Sequence, residues 1–496
     1  MSKLAKCPFW SLPTSLRPLL RLQSVSLRIC HYSSQAEARH LNIDGNSYPT
    51  DEWTNVPPSI ISQYRTGLHI QKDHPLSITR KLIESRFPKF EHHNEIPGIV
   101  TVEQNFDSLG FAPDHPGRSR TDTYYINKNT LLRTHTSAHE VEMFKANTSD
   151  GYTIAADVYR RDAVDRSHYP IFHQMEGALT WDRNKYPSRK ALLDAITDSY
   201  ESLPKHDLVV EDSSPAFEVD NPLQAGFHSA EEATIISKHL KRSLEDMVVT
   251  IFTEADKAIV AAGQRREDSD EPLKVRWMKS FFPHTSPSYE MEVWWRGDWL
   301  EVLGCGVIEQ PLLIRAGQRD RIGWAFGLGL ERIAMLLFGI PDIRLFWSKD
   351  KRFLSQFTES GPIRRFQPFS KHPAAPRDVA FWLPKTNASV IAETPAGSSS
   401  APSAAGGKTD VEPLAEGSEP AFHENDLMEV VRNVAGQNVE DVKLIDDFTH
   451  PKMQRRSLCY RITYRSLERT LTNEEANAMH EDIKSELVAR FGVDLR

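Results

Sequence analysis

The chain has 496 residues, of which 39% are hydrophobic and 26% charged, so its composition excludes a disordered protein and predicts about three domains. Its formal net charge of -8 excludes a uniformly basic binder of polyanions, and any nucleic acid would have to meet local basic patches. The four cysteines lack the short spacing of a metal site. The sequence also contains no apolar run of about 18 residues, the length that would predict a membrane span.

Residues 1–36 are rich in Ser and Leu and contain basic residues but no acidic one. This composition is typical of a mitochondrial presequence. A plain basic tail is the alternative, because Pro13 and Pro18 weaken an import helix. We expect import into the mitochondrial matrix.

Residues 37–100 alternate Pro-rich turns with one predicted helix at 75–87, and we interpret them as an N-terminal arm. Residues 101–365 hold most of the strand-like patterns and form the predicted catalytic domain. Within it, residues 203–265 are interpreted as a helical insertion, because 229–262 has apolar residues at helical spacing.

Residues 366–496 predict elements in the order strand, helix, strand, strand, helix, strand. This order is the split βαβ, or ferredoxin-like, pattern. A disordered insertion is expected at residues 386–420, which consist mainly of Ala, Ser, Gly, Pro and Glu. The chain as a whole is therefore predicted to be α+β.

Three segments place polar side chains where strands end or pair. In the first, two leucines precede residues 133–137, so a strand end would present His135 and Ser137 to a cleft. Taken alone, this segment is better explained as an ordinary surface turn.

In the second segment, a strand, a polar loop and a returning strand place Arg160 and Gln174 on neighbouring strands. Arg160 offers a planar fork to an α-phosphate. Phe172 offers a ring face to adenine, and Glu176 offers a negative charge to an ammonium group. A hairpin with a solvated charged loop is the alternative.

In the third segment, residues 323–335, a Gly-punctuated strand changes into an apolar helix. Arg332 lies one turn into that helix, where it can reach a γ-phosphate and stack on adenine. Packing explains a GxG before a helix about equally well.

Taken together, five segments resemble the signature sequences of class II aminoacyl-tRNA synthetases, and in detail those of the phenylalanine enzymes. They are 133–137 (RTHTS), 172–177 (FHQMEG), 282–288 (FPHTSPS), 299–306 (WLEVLGCG) and 327–332 (GLGLER). The C-terminal unit resembles the anticodon-binding domain that ends the larger bacterial subunit. Its fusion to a catalytic half is typical of the one-chain organellar enzymes, which have an antiparallel catalytic sheet.

The resemblance implies roles for individual residues. Phenylalanine would be bound by His135, Ser137, Gln174, Glu176, Phe282, His284, Cys305 and Ala325. Of these, Phe282 would form a wall, Cys305 and its flanking glycines the floor, and Ala325 would lie near the para position of the ring. ATP, with Mg²⁺, would be bound by Arg160, Asp162, His168, Phe172, Glu301 and Arg332. Arg160 and Arg332 would be the catalytic groups, and the metal ligands stay unassigned.

Three positions depart from the family's pattern. His284 stands where the second pocket phenylalanine is usual, Glu140 where Gln is frequent, and Asp162 where the class has Glu. An imidazole is polar and pH-sensitive, so discrimination against tyrosine is expected to depend on His284.

The resemblance also implies the reaction, in which a monomer activates L-phenylalanine with ATP and transfers it to mitochondrial tRNA(Phe). Four basic residues are expected to bind the tRNA: Arg455, Arg456, Arg461 and Arg465. The alternative is that these residues only form a solvated surface. Two other functions remain open: a catalytically silent RNA-binding paralogue, and an adenylate-forming ligase that uses no tRNA.

Overall fold

A computed structural model describes residues 39–212, 217–219, 221–265, 271–369, 372–384 and 422–496. Every element below belongs to one compact unit, His40–Arg496. The predicted presequence at 1–36 and the predicted insertion at 386–420 lie outside the described residues. None of the described helices is long and apolar enough to cross a membrane.

The strands of the described residues are β1 (His40–Ile43), β2 (Asn46–Pro49), β3 (Glu91–His93), β4 (Ile99–Thr101), β5 (Tyr125–Asn127), β6 (Thr130–Leu132), β7 (Gly151–Tyr159), β8 (Ile171–Asp182), β9 (Leu208–Asp212), β10 (Leu273–Phe282), β11 (Thr285–Trp295), β12 (Asp298–Ile308), β13 (Arg321–Gly329), β14 (Ala375–Trp382), β15 (Val439–Thr449), β16 (Arg456–Tyr464) and β17 (Asp494–Leu495).

The α-helices of the same residues are α1 (Pro58–Ile61), α2 (Pro75–Glu84), α3 (Val102–Asn105), α4 (Glu140–Ala146), α5 (Arg189–Ser202), α6 (Ala230–Ala261), α7 (Gln310–Arg315), α8 (Leu330–Phe338), α9 (Lys351–Leu354), α10 (Glu424–Ala435) and α11 (Asn473–Phe491).

The half that contains the predicted catalytic domain is built on an eight-stranded sheet with the order β3-β7-β8-β13-β12-β11-β10-β9. Its central strands are antiparallel, as predicted, while both edge strands, β3 and β9, pair in parallel. Helices α2, α6 and α8 pack on one face, where Met175, Phe326 and Leu244 belong to the largest hydrophobic core. Strand alternation sends the intervening side chains to the opposite face, which carries the candidate site.

The segment predicted as an arm belongs partly to this core. Strand β3 pairs with β7, and α2 packs against α8 with Leu76 and Ile83 fully buried. The predicted boundary at residue 101 therefore has no counterpart in the structure. These contacts join residues far apart in the chain, so local sequence patterns do not reveal them.

The helix predicted at 229–262 is confirmed as α6, which begins with a capping box between Ser229 and Glu232. Its buried face, which includes Ile236, Leu240 and Met247, lies in the main core. The predicted insertion at 203–265 therefore supplies a cover for the sheet as well as the edge strand β9.

The C-terminal domain has the predicted ferredoxin-like order, with a four-stranded sheet β15-β16-β14-β17 and helices α10 and α11. Helix α11 begins with a capping box between Thr472 and Glu475. Tyr460 and Tyr464 are buried on the same face of β16, as the alternation of side chains along a strand requires. The fold class is α+β.

Candidate active site

Strands β7, β8, β13 and β12 align the candidate residues in rows across the sheet. Gln174 on β8 pairs with Ala156 and Gly329, and the next row joins Glu176 to Gly327. A third row runs through Ala178, Ala325 and Gly306. Because paired residues share a face, these three rows form one side of a cleft.

The polar segment that follows β6 is fixed over this face by Arg133. Its guanidinium is fully buried and donates to the carbonyl of Asp157 at 2.7 Å and to the carboxylate of Asp157 at 2.5 Å. It also donates to the carbonyls of Ile96 and Pro97. A buried guanidinium with this many acceptors holds its backbone rigidly, so the hydroxyls and imidazole beyond it have a defined position.

Glu176 and Gln174 contact that segment directly. The hydroxyls of Thr136 and Ser137 both donate to Oε2 of Glu176 at 2.8 Å, while Oε1 is buried and has no partner among the described residues. The backbone N–H of Thr136 donates to Oε1 of Gln174 at 3.2 Å. Burial raises the pKa of Glu176 to about 7, against the lowering effect of the two hydroxyls.

Aromatic and imidazole rings line the other side of the segment. Phe111 stacks on His135 with a centroid distance of 5.5 Å and on His284 at 6.5 Å, and His284 lies 6.2 Å from Phe282. Burial lowers the pKa of His284 to about 4 and that of His135 well below its usual range, so both rings are neutral at pH 7. Sequence reasoning missed Phe111, which lies in a loop far from both histidines in the chain.

The floor of the cleft is made by glycines. A Cβ atom added at Gly327 or Gly329 would meet nothing within 4 Å, whereas one at Gly304 would lie 2.5 Å from the ring of Phe282. The missing side chains therefore leave open space and let Phe282 approach the sheet.

The predicted role of Cys305 is wrong. Its neighbours Gly304 and Gly306 face the cleft, so alternation turns the Cys305 side chain to the helix-covered face, where it pairs with Phe326 and Tyr289 and lies in the main core. Ala325 pairs with Gly306 and is buried on the cleft face, and its place near the para position of the ring stays a prediction.

Arg160 follows β7 and donates through Nε to the carbonyl of Thr134 at 2.7 Å. Its guanidinium lies over the ring of Phe172 at 5.3 Å. His168 and Asp162 lie in the loop between β7 and β8. The hydrogen bond with Asp165, at 2.7 Å, raises the pKa of His168, and the nearby Arg332 lowers it.

Arg332 lies in the first turn of α8, three residues after Gly329. Its side chain is 42% exposed and donates to the carbonyl of Glu301 at 3.0 Å. The preceding residue, Glu331, is buried and accepts from both the backbone N–H and the Nδ1 of His173, at 2.8 and 2.7 Å. Because His173 lies between Phe172 and Gln174, this pair fixes the start of α8 to the strand that carries the cleft residues.

The structure thus gathers His135, Ser137, Gln174 and Glu176 beside Arg160, with Phe282, His284 and Ala325 around the adjoining space. Arg332, Glu301 and His168 lie at the end where β8, β13 and α8 meet. Among the described residues, no group of three or more His, Cys, Asp or Glu side chains is arranged to hold a metal ion.

Comparison with known proteins identifies the family. The family model for the class II core domain of tRNA synthetases (F) matches residues 61–202 and 258–357, and the ferredoxin-fold anticodon-binding domain matches 419–496. The mitochondrial phenylalanine–tRNA ligase of Saccharomyces cerevisiae is 44% identical over 500 residues, covering 96% of this chain and 100% of that protein. The mitochondrial phenylalanine–tRNA ligase of Mus musculus is 40% identical, covering 92% of this chain and 89% of that protein.

The chain belongs to the mitochondrial phenylalanine–tRNA ligases.

A bacterial relative matches only part of this ligase. The phenylalanine–tRNA ligase alpha subunit of Prochlorococcus marinus (strain MIT 9313) is 30% identical over 296 residues, covering 59% of this chain and 68% of that protein. The class II core match omits residues 203–257, which overlap the predicted insertion, and it includes 61–100, which sequence reasoning assigned to an arm.

In this ligase the C-terminal domain holds the loop between β7 and β8. The backbone N–H of Val442 donates to the carbonyl of Val164 at 3.0 Å, and Arg166 donates through Nε to Glu440 at 2.6 Å. Arg161 donates to Asp426 at 2.8 Å. The loop that contains Asp162 and His168 is therefore supported from both halves of the chain.

Each of the four basic residues predicted to bind tRNA is paired with a carboxylate in the ligase. The pairs are Arg455 with Asp494, Arg456 with Asp447, Arg461 with Asp378, and Arg465 with Glu440. The side chains of Arg461 and Arg456 are about half exposed, at 50% and 46%, whereas Arg465 is engaged at the loop contact. The tRNA role of these residues stays a prediction.

Proposed function

We propose that this chain activates L-phenylalanine with ATP in the cleft described above and transfers the aminoacyl group to mitochondrial tRNA(Phe) in the matrix, acting as a monomer. The observation that carries the proposal is Glu176, a buried carboxylate with one oxygen held by two hydroxyls and the other without a partner. That free oxygen suits an ammonium group, and the glycine floor beside it leaves room for the rest of the amino acid.

The roles of the other residues follow from their positions. Gln174 lies in the neighbouring row and would hold the α-amino acid backbone with Ser137. Arg160 lies next to both and would bridge the substrate carboxylate and the α-phosphate. The carboxylate attacks phosphorus in line, so the protein needs to supply positioning and charge stabilisation and no covalent intermediate.

The nucleotide would extend from Arg160 toward Arg332. The ring of Phe172 lies under the Arg160 guanidinium and offers a surface for adenine, and Arg332 is exposed enough to reach a γ-phosphate. Mg²⁺, when bound with ATP, would neutralise charge on the phosphates. Glu301, beside Arg332, and Glu290 across the β11–β12 pair offer the oxygen donors that this ion prefers.

The two alternative functions are less well supported. A silent paralogue has no need to keep Arg160, Gln174, Glu176 and Arg332 gathered in one cleft. A ligase that ignores tRNA has no need of a ferredoxin-fold anticodon-binding domain, which the chain has at residues 419–496.

Arg332→Ala tests the assignment. We expect phenylalanine-dependent ATP–pyrophosphate exchange to fall by about 10²–10³-fold, because a charge that stabilises the transition state is removed, while tRNA affinity stays unchanged. Arg189→Ala is the matched control, since Arg189 is 51% exposed and lies on α5 away from the cleft. Full exchange activity in Arg332→Ala would contradict the proposal, and charging of mitochondrial tRNA(Phe) by the unsubstituted chain separates it from a tRNA-independent ligase.

A further inference from the structure

Three buried polar side chains, Glu140, Glu176 and Tyr152, lie at the Glu176 end of the cleft. Burial raises the pKa of Tyr152, and the two carboxylates are close enough to raise it further. Glu140 begins α4, three residues after Ser137, whose hydroxyl bonds to Glu176. Tyr152 on β7 pairs with Ala178, one row from Glu176 on the same face of the sheet. Glu140, Glu176 and Tyr152 are 2%, 3% and 6% exposed, so all three lie out of bulk water.

The two carboxyl groups of this cluster have different hydrogen-bond partners. Oε2 of Glu176 accepts from two hydroxyls, whereas Oε2 of Glu140 is buried without a partner among the described residues. Hydrogen bonds donated to a carboxylate favour its charged form. When one of two adjacent buried acids must hold a proton, that proton therefore belongs on Glu140.

The charges around the pair point the same way. Burial and then the neighbouring Glu176 raise the pKa of Glu140 well above its usual range. Among the described residues, no ion pair joins Glu140 to a basic side chain: Arg133 is bound to Asp157, and Arg315 of the adjoining α7 donates to backbone carbonyls. Tyr152, the facing group on β7, supplies a hydroxyl and no positive charge.

We propose that Glu140 is a positioning residue that remains un-ionised, so that Glu176 is the single negative charge offered to the substrate's ammonium group. A protonated carboxyl offers one donor and one acceptor but no charge, so it can add a polar contact to the cluster without adding a second negative charge. If Glu140 were ionised, one of two things would follow. Either Glu176 would hold the proton and lose its negative charge, or both buried carboxylates would be charged with no basic partner. The proposal rests on the function proposed above.

The proposal has a consequence for stability that does not depend on catalysis. An unfolded glutamate ionises near pH 4.3, whereas folded Glu140 keeps its proton to higher pH. Over that interval the folded state binds more protons than the unfolded state, so the free energy of unfolding falls as the pH rises. Glu140→Gln removes this loss, and its advantage in melting temperature over the unsubstituted chain should grow from about pH 4.5 upward.

The experiment compares the unsubstituted chain with Glu140→Gln and Glu140→Met. Thermal unfolding is measured from pH 4.5 to 8, and KM for phenylalanine and for ATP is measured by pyrophosphate exchange at pH 7.5. We expect Glu140→Gln to keep KM for phenylalanine within about twofold, and Glu140→Met, which loses the polar group, to raise it about tenfold with KM for ATP unchanged.

Three results would overturn the role of Glu140. They are a melting-temperature difference between Glu140→Gln and the unsubstituted chain that stays constant with pH, an equal rise in KM for phenylalanine in both variants, and an unchanged KM in Glu140→Met. If the unsubstituted chain itself showed no phenylalanine-dependent exchange, the proposed function would fail, while the pH dependence of unfolding would still decide whether Glu140 is ionised.

Discussion

At the scale of single residues, the alternation of a strand decides which side chains serve the cleft. Gly304 and Gly306 face it and Cys305 does not, although all three are consecutive in β12. Ala325 stands opposite Gly306, so one methyl group sets the depth of the cleft at that row. Its size should therefore control which substituted rings are accepted.

Ala325→Gly is expected to admit para-substituted phenylalanines, because it removes that methyl group from the buried end of the cleft. The ratio of exchange rates for para-chlorophenylalanine and phenylalanine should rise by roughly tenfold or more, the usual effect of one methyl group in an apolar pocket. Ala155→Gly is the control: Ala155 is fully buried on the opposite face of the sheet, and its loss should cost stability without changing selectivity. An unchanged ratio in Ala325→Gly would mean that the residue does not line the ring pocket.

At the scale of elements, β8 and α8 form one unit through Glu331 and His173. The carboxylate satisfies two donors on the strand, and the next residue of the helix is Arg332. The position of the exposed guanidinium thus depends on a buried contact on the reverse face of the sheet.

Glu331→Leu should weaken ATP binding more than phenylalanine binding, because it leaves the two donors of His173 unpaired and frees the start of α8. The unsatisfied donors lower the stability of the fold, whereas the looser start of α8 is expected to raise KM for ATP about tenfold, which corresponds to about 1.4 kcal/mol of binding free energy. Asp246→Leu provides the comparison, since Asp246 is a buried carboxylate paired with Arg86 and His206 away from the cleft. Equal KM values for ATP in the two variants would show that the contact serves stability alone.

Elements with local determinants were predictable from the sequence. The helix at 229–262 and the order of strands and helices in the C-terminal domain depend on patterns within a few neighbouring residues, and the structure confirms both. Strand β9 was missed because it lies in a polar stretch and is stabilised by parallel pairing with β10. Such pairing joins distant segments and leaves no periodic pattern.

The same distinction applies to the site. His135, Ser137, Gln174 and Glu176 were predictable as a group because family-like segments contain them, and the structure brings them together. Phe111 was not, since its stacking on two histidines depends on how a distant loop folds over the sheet. Cys305 was misassigned because a short motif does not show which face of a strand each residue occupies.

At the scale of the whole molecule, Glu440 connects the two halves. It accepts from Arg166 in the catalytic loop and from Arg465 at the end of β16. Arg344 adds to the same contact by donating to the carbonyls of Gln437 and Val439. A domain expected to bind tRNA thus also supports the loop that carries Asp162 and His168.

Glu440→Gln should raise KM for ATP several-fold, because the loop loses an ion pair that fixes its backbone near Arg166. Because the Arg166 side chain is 57% exposed, water screens this pair, and its contribution is at most about 1 kcal/mol. Glu475→Gln is the control in the same domain, since Glu475 pairs with Arg469 on the surface. If both variants kept the KM for ATP of the unsubstituted chain, the loop would not depend on the C-terminal domain.

The shared use of Glu440 also bears on how such a chain can change over time. A basic residue in place of Glu440 would leave two arginines, one in each half, without their carboxylate partner. Such a change could persist only with compensating changes in both halves. A single polypeptide keeps those positions under common inheritance, whereas separate subunits encoded apart would have to acquire them independently. The fusion of the two halves therefore makes their coevolution easier at this contact.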